Sequence, residues 1–212
     1  MKTDMVEYYS KRADVYDDIY LRQENQTDIE KIKGSLNTIF TGKVVLEIAC
    51  GTGYWTNKLT KAEHITAIDM SQEMLDIALK RGYSSHKSVR FVKANAYNPP
   101  KRVPRYNGSF ACLWFSHIPK NKIHKFLQKL HSRLEKGSTV MFVDNMFQER
   151  IGGESIHGEE DSFKKRKISD TEYYKIIKNY YTRDSLEEIF SRYSNEIDIQ
   201  IMPYFWSCSY RI

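Results

Sequence analysis

Residues 44–56 read VVLEIACGTGYWT, and this stretch decides the fold of the chain. Its first half is a continuous apolar run rich in β-branched residues, which is typical of a parallel strand covered on both faces. The run stops at Gly51 and Gly53, and residues 54–62 then show a pattern compatible with a helix. A strand, a glycine turn and a helix form the first half of a nucleotide-binding βαβ unit. Because glycine has no side chain, the backbone at both positions can approach a ligand closely.

The spacing of the glycines separates two classes of cofactor. A dinucleotide fingerprint requires a third glycine three residues after the second, and position 56 is Thr. Glu47 lies inside the strand, just before the turn. The pattern Glu-x-x-x-Gly-x-Gly after an apolar run resembles motif I of the class I S-adenosylmethionine (SAM)-dependent methyltransferases. The resemblance implies an α/β Rossmann-like fold, with a seven-stranded mostly parallel sheet, a C-terminal antiparallel hairpin and helices on both faces.

Length and composition predict one globular domain over residues 1–212. The hydrophobic share of 41% and the charged share of 28% are ordinary for such a domain. No stretch approaches the roughly 20 apolar residues of a membrane span, and the first residues lack an apolar signal region. We therefore expect a cytoplasmic protein without a membrane partner. The three cysteines are isolated, so neither disulfides nor a zinc site is expected.

The formal net charge of +6 raises the question of nucleic acid as a partner. Lys and Arg are spread along the chain, with one dense run at residues 164–167, and such a run is usually a solvated face or loop. Neither an RNA-binding module nor a basic tail accompanies the charge, so nucleic acid is not the expected partner. No residue pattern indicates an oligomeric state.

The N-terminal segment is rich in tyrosine. Tyr9, Arg12, Tyr16 and Tyr20 follow at helical spacings, which predicts that they share one side of a helix. The pattern Tyr-Tyr-x-x-Arg-Ala-x-x-Tyr-Asp is similar to the N-terminal segment of many small-molecule methyltransferases. That resemblance implies that residues 1–40 form helices capping the cofactor, with Arg12 beside the cofactor and Tyr16 a candidate catalytic group. A helix that only packs on the sheet is the structural alternative.

Asp69 closes a second predicted strand at residues 64–70. It lies 18 residues beyond Gly51, close to where a βαβ unit places the carboxylate that binds a ribose. Met70 would then lie beside the adenine, and Ser71 is suited to cap the next helix. The pattern Ala-Ile-Asp-x-Ser-x-x-Met-Leu resembles the second motif of the family. In the alternative interpretation, Asp69 merely caps that helix.

Polar residues also follow the third and fourth predicted strands, at 89–93 and 110–115. Many family members carry Asp-Ala after the third strand, so the resemblance assigns Asn95 and Ala96 to the adenine, and an Asn carbonyl can accept the same hydrogen bond. After the fourth strand, the backbone around Trp114 is expected to line the sulfonium. His117 is the candidate catalytic base, because a neutral imidazole at a strand's carboxyl end can take a proton from the acceptor. A structural histidine is the alternative.

The second half of the chain predicts further elements. A helix should begin near Pro119 and stop at Gly137, and a fifth strand should cover residues 139–145. Residues 148–171 are long, polar and charged, which favours a substrate-side lid or a mobile insertion. The remaining predicted elements are a short strand at 173–181, a helix at 184–193 and two final strands at 197–202 and 205–210.

The pair Asp144-Asn145 at the end of the fifth strand bears on metal use. Metal-dependent catechol-type O-methyltransferases carry an Asp-Asn pair there, and they also need a carboxylate after the fourth strand for an oxygen-rich magnesium shell. This chain has residues 114–117, WFSH, at that place. We therefore expect no metal site and a metal-independent reaction.

The resemblance implies transfer of the methyl group of SAM, with S-adenosylhomocysteine (SAH) as the product. The expected acceptor is an O, N or S nucleophile of a small molecule, methylated by in-line displacement, and Glu47 is assigned to the turn and the methionine end. The chain also resembles small bacterial methyltransferases that carry the motifs EIACGTGYWT and SHIP. An RNA methyltransferase, a SAM-binding regulatory protein without turnover and a dehydrogenase of the same broad fold remain as alternatives.

Overall fold

The computed structural model describes residues 1–149 and 153–212, which form two sheets and six α-helices. The strands are β1 (Val44–Ile48), β2 (His64–Asp69), β3 (Val89–Lys93), β4 (Tyr106–Cys112), β5 (Leu134–Asn145), β6 (Ser155–His157), β7 (Ser162–Lys167), β8 (Tyr173–Ile177), β9 (Ile197–Ile201) and β10 (Phe205–Arg211). The helices are α1 (Met5–Ser10), α2 (Asp18–Leu21), α3 (Gln26–Ile39), α4 (Gln72–Lys80), α5 (Ile123–His131) and α6 (Arg183–Phe190).

The larger sheet has seven strands in the order β3-β2-β1-β4-β5-β10-β9. Strands β1 to β5 are parallel to one another, whereas β10 is antiparallel to both β5 and β9. A mostly parallel sheet with a C-terminal antiparallel hairpin is the architecture that the sequence predicted. The fold class is confirmed.

The sheet is buried because both of its faces are covered. In β1, Leu46 and Ile48 belong to the apolar cluster that contains α5 and α6. Val45 belongs to the cluster on the opposite face, which contains α3. Alternate residues of a strand point to opposite faces, so a strand buried on both sides needs apolar residues at successive positions. This is the physical origin of the uninterrupted apolar run in the sequence.

The smaller sheet has the order β6-β7-β8, and both of its strand pairs are antiparallel. Strands β6 and β7 lie inside the stretch 148–171, whose described part is therefore folded; residues 150–152 lie outside the described residues. A lid function for this stretch stays a prediction. The basic run at 164–167 was expected on a solvated face or loop. The side chains of Lys165 and Lys167 are 41% and 55% exposed, as expected, but the prediction is wrong for Lys164. Lys164 is 1% exposed, because alternate residues of the central strand β7 face inward.

Two predicted helices differ from the structure. Residues 54–62 contain only a 3₁₀ turn at Thr56–Lys58, although Trp55, Leu59 and Ala62 are all buried as a helix would bury them. Helix α5 ends at His131 and not at Gly137. The apolar residue Leu134, which continues the helical spacing, instead pairs with Tyr106 at the start of β5. In both places an apolar spacing that suits a helix is satisfied by a turn or a strand.

The tyrosine-rich segment is also not one helix. It is divided into α1, a 3₁₀ turn at Ala13–Val15 and α2. The predicted N-cap of α4 is confirmed, because Ser71 Oγ accepts a hydrogen bond from Met74 N at 3.1 Å. None of the helices in the described ranges has the length and apolar character needed to cross a bilayer.

Candidate functional site

The turn after β1 has an unusual backbone conformation. Ala49, Gly51 and Gly53 all have positive φ angles, of 52°, 55° and 75°. A Cβ on Gly53 would lie 2.5 Å from Tyr83 Oη and 3.0 Å from the Cβ of Ala78, so this glycine packs the turn against α4. Gly51 instead lines a cavity, where an added Cβ would lie 3.5 Å from the ring of Tyr16. The two glycines that the sequence treated alike therefore have different neighbours.

Besides Ala49, a second non-glycine residue at this edge of the sheet has a positive φ angle. Leu113, directly after β4, has a φ of 57°, and it lines the same cavity as Ala49. A left-handed backbone costs a residue with a Cβ roughly 1–2 kcal/mol, and such strain concentrates at functional sites. The strained positions thus lie at the carboxyl ends of two neighbouring parallel strands, where open α/β sheets bind ligands.

Asp69 lies at the end of β2 with both carboxylate oxygens held by the backbone. Oδ2 accepts a hydrogen bond from Gly51 N at 2.9 Å, and Oδ1 accepts one from Ser71 N at 2.9 Å. Burial raises the pKa of this carboxyl, and the two N–H donors act against that rise. Because Ser71 is itself the N-cap of α4, Asp69 is not simply a helix cap. Its carboxylate joins the glycine turn to the wall of the cavity.

Glu47 lies beneath the turn and does not line the cavity. It is 2% exposed, and its Oε2 accepts a hydrogen bond from Thr56 Oγ1 at 2.6 Å. Burial raises the pKa of Glu47 to about 8, which keeps the carboxyl protonated at neutral pH. The structure therefore places Glu47 where it braces the turn, one layer below any ligand.

The first cavity has a volume of about 230 Å³ and lies over the ends of β1, β2 and β4. It brings together eight of the residues predicted from the sequence: Tyr16, Gly51, Asp69, Met70, Asn95, Ala96, Trp114 and His117. The indole Nε1 of Trp114 is buried and has no hydrogen-bond partner within the described residues. A buried donor of this kind is normally satisfied, and Trp55 and Trp206, which do not line this cavity, share the feature.

His117 forms a hydrogen-bonded pair with Tyr9, a residue to which the sequence analysis gave no catalytic role. His117 Nδ1 lies 2.5 Å from the carbonyl oxygen of Ile177, so Nδ1 carries the proton and donates it. Nε2 is then the acceptor for the hydroxyl of Tyr9, at 2.8 Å. Burial, together with the neighbouring Lys178 ammonium, lowers the pKa of His117 to about 3. The imidazole is neutral at physiological pH.

A second cavity, of about 240 Å³, adjoins the first. The two share Tyr9, Tyr16, Leu113 and His117 in their linings. Arg12, which the resemblance placed beside the cofactor, lines the second cavity and not the first, and its guanidinium donates to Tyr8 Oη at 3.0 Å. The N-terminal segment forms much of this cavity, with further walls from β7 and the chain after β8.

A buried ion pair supports the floor between the two sheets. Lys178 Nζ donates to Asp144 Oδ1 at 2.8 Å, to Ser116 Oγ at 2.8 Å and to Asn145 Oδ1 at 3.0 Å. Burial by itself would raise the pKa of Asp144, but Lys178 holds the pKa below its ordinary value. Asp144 thus has an ammonium partner, and the described ranges contain no group of three His, Cys, Asp or Glu side chains able to hold a metal ion.

Comparisons with known proteins agree with this architecture. Residues 45–137 match a family model described as a methyltransferase domain. The chain is 26% identical over 139 residues to a malonyl-[acyl-carrier protein] O-methyltransferase of Priestia megaterium, covering 63% of this chain and 47% of that protein. The chain thus spans about half the length of that relative. It is also 26% identical over 165 residues to an uncharacterized methyltransferase of Anoxybacillus flavithermus, covering 75% and 76% of the two chains.

Among solved structures, the chain resembles DhpI in complex with SAH, with a TM-score of 0.79 and 24% identity over 97% of this chain and 94% of that one. DhpI has also been determined in a complex with SAM and HEP, for which the TM-score is 0.78. This likeness concerns the fold. Residues 45–137 thus match a methyltransferase domain, the chain has the class I Rossmann-like methyltransferase fold, and the DhpI complexes with that fold contain SAH or SAM. The predictions of family and cofactor are confirmed at this level.

Proposed function

We propose that the protein binds SAM in the first cavity and methylates an O, N or S nucleophile of a small molecule held in the second. One observation carries this proposal: two cavities of similar size meet at Tyr9, Tyr16, Leu113 and His117. One cavity is lined by the residues of the nucleotide-binding motifs, and the other is lined by the N-terminal segment and the chain that leads to and from the smaller sheet. Methyl transfer needs donor and acceptor side by side, and this arrangement supplies two adjoining compartments.

The residues of the first cavity fit the chemical groups of SAM. Asp69 can accept hydrogen bonds from both ribose hydroxyls, because each of its oxygens keeps a free lone pair. Met70, Asn95 and Ala96 are assigned to the adenine, and the backbone of Gly51 to close approach. The rings of Tyr9 and Tyr16 present aromatic faces, which attract a cation. Bound there, SAM supplies a methyl group that its positive sulfur has already activated.

Proton transfer from the acceptor, where it is needed, is assigned to Tyr9 and His117 together, with Tyr16 as the second candidate. An acceptor hydroxyl beside Tyr9 would pass its proton to Tyr9 Oη, while the phenol proton moves to His117 Nε2. With a pKa of about 3, His117 is a weak base for that proton. The pair therefore suits acceptors that ionise easily, and it positions the nucleophile more than it activates it.

The dimensions of the second cavity favour a small acceptor over nucleic acid. A volume of about 240 Å³ accommodates a small molecule, whereas a polynucleotide needs an open groove. The sequence also lacks an Asn-Pro-Pro-Tyr motif and a paired catalytic-cysteine motif, either of which would favour an RNA methyltransferase. The reaction is proposed to be metal-independent.

The first experiment is calorimetric titration of SAM and of SAH against the wild type and Asp69→Ala. We expect micromolar binding to the wild type and a loss of roughly 10- to 100-fold in the variant, because a hydrogen bond to a charged group contributes about 1.5–3 kcal/mol. Asp76→Ala is the matched control, since Asp76 lies exposed on α4, and it should bind both ligands normally.

Two results would contradict the proposal. If neither SAM nor SAH binds while NAD does, the dehydrogenase alternative replaces it. If SAM binds but no labelled methyl group reaches any member of a broad small-molecule panel, the alternative of a SAM-binding protein without turnover is favoured.

A further inference from the structure

The second cavity is strongly cationic. Its lining contains the basic residues Arg12, Arg22, Arg166 and Lys178, and the acidic residue Asp18. The charge of Lys178 is neutralised by Asp144, and its ammonium donates hydrogen bonds to the buried network beneath the cavity. The three arginines form no ion pair with any carboxylate in residues 1–149 and 153–212. With Asp18 as the one acidic residue in the lining, the three arginines leave this cavity with a net positive charge.

Arg166 is the central feature of this charge. It lies in β7 on the inward side of the strand, half-buried, and its Nε is buried without a hydrogen-bond partner among the described residues. The charge of Arg166 also acts on Lys164. Burial lowers the pKa of the Lys164 ammonium, and repulsion from Arg166 adds to that decrease. A guanidinium held next to other cations raises the free energy of the folded protein, and a bound anion would remove that cost.

The other two guanidiniums surround the same space. Arg12 is half-buried and oriented by its hydrogen bond to Tyr8, whereas Arg22 is exposed at the rim. Planar guanidinium groups suit carboxylate and phosphoryl oxygens, because they can donate two parallel hydrogen bonds. Even if Arg12 binds the methionine carboxylate of the cofactor, Arg22 and Arg166 remain for another anion.

The reacting groups where the cavities meet favour an anion as well. Both nitrogens of His117 are already engaged, Nδ1 with Ile177 O and Nε2 with Tyr9 Oη. A neutral hydroxyl would need a base to become a good nucleophile, whereas an oxyanion needs none.

We propose that the methyl acceptor is an oxyanion, a carboxylate or a phosphoryl group, bound by Arg166 with Arg22 and Arg12, and that the methyl group is transferred to the oxyanion oxygen. The new bond joins this oxygen to the methyl carbon as the carbon–sulfur bond breaks, and the bonding electrons go to sulfur. The acceptor loses one negative charge and no proton is released. The product is a methyl ester. This inference rests on the proposed function and names the substrate class of its second cavity.

Binding to the SAH-saturated protein tests the substrate class without turnover. The probes are four molecules of similar size, butyrate, propylphosphonate, 1-butanol and butylamine, titrated by calorimetry at low ionic strength. We expect at least one anion to bind in the millimolar range and the alcohol and the amine not to bind. Arg166→Gln should weaken binding of the anion at least tenfold. Arg105→Gln should leave binding unchanged, because Arg105 is exposed and lines neither cavity.

A stability measurement separates ligand binding from a structural role. Since Arg166 is an unpaired cation near other cations, Arg166→Gln should raise the melting temperature of the ligand-free protein while it reduces the anion's stabilising effect. A structural arginine would show the opposite change in melting temperature. SAH affinity should stay within twofold of the wild type, because Arg166 does not line the first cavity.

The same titrations show which idea fails. If SAH does not bind, the proposed function is wrong. If SAH binds and the anions do not, or if 1-butanol binds as well as they do, the inference alone is wrong. Anions that bind only in competition with SAH would assign the arginines to the cofactor's carboxylate and likewise overturn it.

Product analysis distinguishes the two kinds of oxyanion. The anion that binds more tightly is incubated with SAM carrying a labelled methyl group. Label released as methanol in mild alkali indicates a carboxylate ester, whereas an alkali-stable product with one negative charge fewer indicates a phosphoryl ester. Absence of either ester, or label on nitrogen or sulfur of another acceptor, would overturn the proposed site of transfer.

Discussion

His117 illustrates how burial changes the chemistry of one side chain. An exposed imidazole has a pKa near 6.5 and exchanges its proton at physiological pH. In this fold the ring is 4% exposed and lies near the Lys178 ammonium, and its pKa falls to about 3. The protein therefore keeps a neutral imidazole in a fixed tautomer, which positions the hydroxyl of Tyr9.

This lowered pKa predicts a specific pH dependence of stability. The folded-state pKa of about 3 lies below the unfolded value of 6.5, so the unfolded chain binds a proton that the folded chain does not. Stability should fall as the pH decreases from 6.5 towards 3, by up to about 1.4 kcal/mol per pH unit for this one group. In His117→Gln, whose amide can keep both hydrogen bonds, this part of the slope should disappear. Urea unfolding at pH 7.5, 6.0 and 5.0 measures it.

The control is His157→Gln, because His157 is exposed on the smaller sheet. This variant should keep the wild-type slope. An unchanged slope in His117→Gln would mean that His117 is protonated in the folded protein, and the assigned tautomer would then be wrong.

Among the elements, α1 depends most on its neighbours. A helix of six residues is too short to be stable alone, so tertiary contacts must hold it. Lys2 pairs with β8 through backbone hydrogen bonds to Tyr173 O and from Lys175 N, at 3.0 and 2.7 Å. Glu172 accepts from Lys2 Nζ at 2.8 Å and from Lys11 Nζ at 2.6 Å. The smaller sheet thus fastens the segment that forms part of both cavities.

Glu172→Gln tests this connection between elements. Removing the charge weakens two ion pairs that join the loop before β8 to residues on either side of α1. We expect faster amide hydrogen exchange in Met5–Ser10, while the central sheet keeps its protection, because local opening of a short helix does not require global unfolding. Hydrogen exchange with mass spectrometric detection resolves the two regions.

Asp170→Asn is the matched control, because Asp170 lies in the same loop, pairs with Lys167 at the end of β7 and forms no ion pair with α1. It should leave exchange in α1 unchanged. Equal acceleration in both variants would show that the loop loosens as a whole, and unchanged exchange in Glu172→Gln would show that the backbone pairing alone holds the segment.

At the scale of the whole molecule, the site exists because of the order of the strands. β1 lies between β2 and β4, so the chain changes direction across the sheet beside β1. Ligands bind in the crevice at such a switch point, outside the carboxyl ends of the strands. The N-terminal segment then crosses this edge, anchored to the core by the ion pair between Asp17 and Arg81 and by the stacked rings of Tyr20 and Tyr54.

Ligand-induced stabilisation measures this whole arrangement. SAH at about 100 times its Kd should stabilise the protein by about 2.7 kcal/mol, a rise in melting temperature of roughly 5 to 10 °C for a chain of this size. Gly51→Val should abolish most of the rise, since a β-branched residue is strained at a φ of 55° and its side chain would meet Tyr16. Differential scanning fluorimetry with and without SAH gives both values.

A second glycine provides the control for that experiment. Gly34 lies inside α3, and a Cβ added there would meet no atom within 4 Å. Gly34→Ala should therefore stabilise the protein by about 1 kcal/mol and keep the full SAH effect. A full SAH effect in Gly51→Val would contradict the assignment of Gly51 to the cofactor.

Much of the fold followed from local patterns. Strand β3 was predicted at its observed bounds, and the glycine turn, Asp69 and the final hairpin lie where their motifs indicated. These features depend on period, spacing and turn chemistry, which short stretches encode by themselves. The helix at 54–62 failed because an apolar spacing does not tell a helix from a turn that buries the same side chains.

The sequence by itself indicated the class of the protein, because one apolar strand, two glycines and an acid at the next strand's end resemble the motifs of the SAM-dependent methyltransferases. Only the tertiary structure decided the groups around the acceptor cavity. Tyr9 forms a hydrogen bond with His117, which lies 108 residues away in the sequence, and Lys178 forms one with Asp144, which lies 34 residues away. Arg166 comes from a charged run that resembled a solvated surface. Such meetings depend on how separate elements pack, because desolvation and pairing are properties of the assembled interior and not of any local stretch.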